Sequence, residues 1–236
     1  MWQGENSNEI IFREYLHQKD FRNKVINFYK SQKIKNFIRD CCESEDEEKL
    51  LEKLSHLIEL LEKDDFWNTI MFYPLSKNIM AFVSNYLRVV VNTHYIKFIR
   101  CSSNDEKIIL KFILFVLLIH EFFHLLRRFK CAGIKATDAL TPAKENESHG
   151  EIGQRLIEYF FTQKKIPFVT LEAAEYFDKL NLAEETDIEN LATIVKKMNE
   201  ESLSNQPMSR FLESGQRGSL FEMPDCRYLI VSKFTC

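Results

Sequence analysis

Glycine and proline are scarce in this chain of 236 residues, at six and five. That excludes collagen-like and proline-rich linker chains and argues against a turn-dense all-β fold. A basic excess is missing too: 32 Lys and Arg face 35 Asp and Glu, for a formal net charge of −3. Nothing at that level attracts nucleic acid or an anionic membrane, so neither is expected as a partner. The six cysteines, at 41, 42, 101, 131, 226 and 236, contain no C-x-x-C. A thiolate zinc knuckle or thioredoxin-like motif is therefore not expected, and free thiols in a reducing compartment are. The segment from Met1 to Glu14 is polar and has no apolar stretch of the kind a secretory leader carries. An intracellular, cytoplasmic location is the expectation.

What is present is a globular composition, 45% hydrophobic and 28% charged, which excludes a wholly disordered chain. The pattern predicts a mainly α fold with a small β element, an α+β class. Residues 9–40 read as one or two amphipathic helices, with Phe21, Val25, Ile26, Phe28 and Tyr29 at helical spacing. Leu50, Leu51, Leu54, Leu57, Ile58 and Leu61 give a clean i, i+3, i+4, i+7 stripe. Residues 1–75 are expected as an N-terminal helical region, ended by Pro74, and residues 76–236 as a second region. Within the second, Ile79, Phe82, Val83, Tyr86 and Leu87 have helical spacing, and the valines at 89–91 have β character. Residues 170–180 and 186–201 read as a helical pair, and residues 226–234 as a terminal strand.

The clearest segment starts at Ser103-Asn104-Asp105-Glu106, a helix cap. From Ile108 to Phe129 the chain is almost continuously apolar, broken by Lys111, His120, Glu121, His124, Arg127 and Arg128. A helix apolar all round is buried in protein or in lipid. The span is near membrane length, but its ionisable residues and the lack of a second such span favour a protein core.

His120-Glu121-Phe122-Phe123-His124 is an H-E-x-x-H on that helix. Residues i and i+4 share a helix face, so both imidazoles can converge on one metal ion. Glu121 stands where a carboxylate can take a proton from metal-activated water. This composition would produce about 0.02 such matches by chance, so the motif outweighs coincidence. Burying His, Glu and His without partners is costly, and a metal would satisfy them together. The competing interpretation is a pair of core histidines with Glu121 paired to Arg127 or Arg128. A zinc site also needs a third protein ligand. Asp138, Glu145, Glu147, Glu151 and Glu158 lie downstream, as does His149. Glu151 is preferred because Gly150 and Gly153 flank it and permit close packing on the motif helix. Glu147, Glu158 and His149 stay open, and Ser148-x-x-Glu151 is also a capping box. Tyr159, Arg155, His149 and Tyr176 are candidates for stabilising an oxyanion and are not ranked.

Over residues 105–162 the chain resembles the zincin metallopeptidases, with His120, Glu121 and His124 matching their motif residue by residue. A Glu ligand on a following helix is similar to the gluzincin branch. The Ile152-Gly153-Gln154-Arg155 that follows Glu151 departs from the N-E-x-x-S-D of thermolysin-like members. The resemblance implies a zincin-like domain over residues 76–236 and a Zn²⁺ cofactor held by His120, His124 and Glu151. It also implies Glu121 as general base and a peptide or protein substrate. The alternative function is a zincin-fold interaction subunit of a larger assembly, motivated by the twenty phenylalanines.

Overall fold

The computed structural model describes residues 7–41, 47–75, 81–84, 86–93, 103–129, 152–161 and 171–203. The fold is mainly helical with one small sheet. Five helices come first: α1 (Ser7–His17), α2 (Lys19–Lys30), α3 (Gln32–Cys41), α4 (Glu47–Leu61) and the short α5 (Asp64–Trp67). Three strands follow, β1 (Met71–Tyr73), β2 (Ala81–Val83) and β3 (Val89–Asn92). The long α6 (Asn104–Arg128) leads to α7 (Ile152–Phe161), α8 (Leu171–Lys179) and α9 (Glu185–Leu203).

Residues 9–40 fall in three helices, α1 to α3, where the spacing predicts one or two. Gln18 and Ser31 take extended backbone and break the run. Ser31 then restarts the chain as a cap: its hydroxyl donates to the Phe28 carbonyl at 2.7 Å and accepts from the Ile34 N–H at 3.3 Å. The leucine stripe of α4 faces inward as expected, with Leu50, Leu54, Leu57 and Leu61 buried.

The helix expected around residues 79–87 is corrected by the structure: Ala81–Val83 form β2. A three-residue strand is too short to display period-two alternation, so the helical spacing of Phe82, Val83, Tyr86 and Leu87 misleads. The β-branched Val89–Val91 recruit it as a partner. The sheet order is β1-β3-β2, with β1 parallel and β2 antiparallel to β3. The β2–β3 connection is tight: Leu87 has φ 57° and donates its N–H to the Ser84 carbonyl at 2.9 Å. The Ser84 N–H donates to the Arg88 carbonyl at 2.8 Å, which makes 84 and 88 a hydrogen-bonded pair. Alternation along an antiparallel ladder then turns the backbone groups of Val83 and Ala81 away from β3, toward the outer edge of the sheet.

At the centre lies α6. Its start is the expected capping box: the Glu106 N–H donates to Ser103 Oγ at 3.2 Å and the Ser103 N–H donates to Glu106 Oε2 at 3.0 Å. The helix packs against α8, α7, α4, α1, α2, β2 and β3, which accounts for a sequence apolar on every face. It is long and apolar enough to cross a membrane, yet 94% of its most apolar window is buried within the protein. One continuous core runs from Phe12 to Val195. Every described phenylalanine except Phe82 belongs to it or packs against it. The strand expected at 226–234 lies outside the described residues.

Candidate metal centre

The helix period carries His120 and His124 to one side of α6, 1% and 8% exposed. Their Nε2 atoms stand 3.3 Å apart. Two nitrogens each about 2.0–2.1 Å from one tetrahedral zinc stand about 3.3–3.4 Å apart, so the pair has the edge length of such a site. The same separation lets one imidazole donate to the other without an ion.

Gly153 of α7 closes one side of this pair. A Cβ built there would sit 2.6 Å from Nδ1 and Cε1 of His120. Only a glycine lets the α7 backbone reach the imidazole this closely. The glycine flanking Glu151 thus serves the close packing that the sequence predicts. On α7, Gly153, Leu156, Ile157 and Phe160 form the buried stripe. Glu158 stands about 140° around the helix from Gly153 and is only half-buried. The Tyr159 hydroxyl donates to Asp40 Oδ2 of α3 at 3.1 Å. Arg155 is buried on the same helix, and Tyr176 is half-buried on α8.

Glu121 is 1% exposed. A residue that the sequence does not point to stands beside it. Tyr29 of α2 is fully buried and donates its hydroxyl to the Ile119 carbonyl at 2.5 Å. Burial, and then the negative charge of Glu121, push the Tyr29 phenol well above its usual pKa. Its ring lies against Phe28 and Phe122, which ties α2 to the peptide immediately before His120. The two residues are about ninety positions apart, so no local pattern joins them.

At the end of α6 the Arg128 side chain turns to backbone. The Arg128 guanidinium donates through Nη1 to the Val83 carbonyl of β2, and Lys53 of α4 donates to the Arg127 carbonyl at 2.8 Å. Among the described residues no group of three His, Cys, Asp or Glu side chains is arranged to hold an ion. A third donor would have to come from beyond them. Glu151, Glu147, His149, Glu145 and Asp138 all lie there. No family model matches the chain, and no curated protein or solved structure matches it.

Proposed function

We propose that the chain is a zinc-dependent hydrolase acting on peptide bonds, with Zn²⁺ held by His120, His124 and Glu151 and with Glu121 as general base. The observation that carries this reading is the pair of buried imidazoles with Nε2 atoms 3.3 Å apart, the separation two zinc-bound nitrogens require. Zinc, when bound, supplies Lewis acidity and a water molecule far more acidic than bulk water. Glu121 takes the proton from the attacking water and returns it to the leaving amine. Its burial shields that carboxylate from bulk solvent and strengthens its electrostatic action. Gly153 supports Glu151 as third ligand, because two residues of chain span at most about 7 Å and Gly153 touches the His120 ring. The azimuth of Glu158 on α7 argues against that residue. The β2 edge supports a peptide substrate: among the described residues β2 pairs only with β3, it packs on α6, and beside the Val83 carbonyl that Arg128 holds the outward groups of Ala81 can receive an extended chain. An intracellular location fits this proposal.

The test is zinc stoichiometry and peptide hydrolysis on the purified chain. Wild type should bind about one zinc per chain, on the ligand logic above, and His124→Ala should bind none. Glu151→Gln should weaken zinc binding at least tenfold. Glu121→Gln should keep the metal and lose turnover by about 10²–10⁴-fold. Equal zinc content in wild type and His124→Ala would end the proposal.

A further inference from the structure

Arg128 is 8% exposed, yet its one hydrogen bond among the described residues goes to a backbone carbonyl, that of Val83. No carboxylate pairs with it there. The less buried Arg13, Arg22 and Arg39 each meet one, in Glu9, Asp64 and Glu47. A guanidinium has five N–H donors in a planar fork matched to a carboxylate. One of its nitrogens meets a neutral acceptor, and none of its others is a buried atom without a partner, so the rest of the fork can receive an anion.

The position of this arginine is specific. Arg128 follows His124 by four residues and Glu121 by seven, spacings that return to one side of a helix. At about 1.5 Å per residue it lies about 6 Å along the axis from His124 and about 10 Å from Glu121. Side chains on a helix lean toward its N-terminus, here back toward the histidine pair. Val83 presents its carbonyl at the outer edge of β2, so the guanidinium bonded to it stands at the end of the edge that an extended chain would approach.

We infer that Arg128 anchors a carboxylate of the substrate peptide, either the C-terminal carboxylate or an Asp or Glu side chain within a few residues of the scissile bond. The inference rests on the peptidase reading for the word substrate and on the arginine's own surroundings for the anchor. An extended chain advances about 3.3 Å per residue, so the 6–10 Å interval covers two or three residues. The lean of the arginine shortens this to one or two. The fork fixes the peptide's register, and Arg128 is thereby a specificity-determining residue.

The test uses the full chain with zinc, carrying Glu121→Gln so that peptides stay intact, with Arg128 kept or changed to Gln or Lys. Glutamine retains an N–H for the Val83 carbonyl, which preserves the packing, and lysine retains the charge if glutamine does not fold. Fluorescently labelled peptides are matched in three forms: free C-terminal acid, C-terminal amide, and amide with an internal Glu. Binding is read by anisotropy. With Arg128 present, a carboxylate-bearing form should bind about 100-fold more tightly than the plain amide. Whether the terminal acid or the internal Glu gains identifies the source. Arg128→Gln should erase the difference and Arg128→Lys should restore part of it. Equal binding of acid and amide with Arg128 present, or an equal loss for both in Arg128→Gln, would overturn the anchor. If the preference depends on Arg128 but the Glu121 chain hydrolyses none of the peptides, the anchor stands and the peptidase reading falls.

Discussion

Gly153 shows how much can depend on one missing methyl group. Its backbone lies so close to His120 that any Cβ would meet the imidazole inside van der Waals distance. Gly153→Ala should push the ring aside, costing about 1–3 kcal/mol of stability by overpacking. It should also lower zinc affinity through the displaced Nε2. Thermal denaturation with a competitive zinc chelator titration separates the two effects. A stability loss with unchanged zinc affinity would make Gly153 a packing residue only. Tyr29 makes a different prediction, about pH. Its phenol is raised by burial first and by the Glu121 charge second. In the unfolded chain it ionises near pH 10, at the ordinary tyrosine value. Between that pH and the higher folded value the native state holds more protons, so stability falls as pH rises. Below pH 10 the phenol is neutral in both states and the effect vanishes. Tyr29→Phe should therefore flatten the alkaline fall of stability, measured by urea denaturation between pH 8 and 11. An unchanged slope would show that Tyr29 ionises alike in both states.

Among the elements, α6 was legible from residues alone, because its cap, its apolar run and its terminal arginines all agree. Ser103 and Glu106 satisfy each other as the sequence implies. Ser103→Ala should cost about 1 kcal/mol and leave zinc affinity untouched, since the cap lies almost five turns from the histidines. A chelator titration showing weaker zinc binding would mean that the whole helix shifts when its start is loosened. The leucine stripe of α4 and the pair α8 and α9 were also readable, since their partners need only be apolar. The breaks at Gln18 and Ser31 were not, because single-residue interruptions leave helical spacing nearly intact. β2 was hidden for a different reason: three residues gain their strand identity from Val89–Val91, which is tertiary information. The approach of His120 to His124 was legible because their spacing is local. Tyr29 was not, because it arrives from another helix. Arg128 was visible as a charge in an apolar run, but its turn toward Val83 needed the fold.

For the whole molecule, the decisive feature is that the helix bearing the motif is wrapped on all sides by α1, α2, α4, α7, α8 and the sheet. Many functional sites sit on loops that open locally at little cost. Here Phe122 and Phe123, between the two histidines, are fully buried. Their amide hydrogens should be among the last in the protein to exchange with deuterated solvent, at the free energy of global unfolding. Mass spectrometry or NMR of hydrogen exchange would measure this, and fast exchange at 122–123 would reveal a local opening of the centre. Ligands rooted in such a core are held in place before any ion arrives. The chain would then meet metal as a preformed socket, with the spacing of its two imidazoles set by the packing around Phe122 and Phe123 rather than by the ion itself.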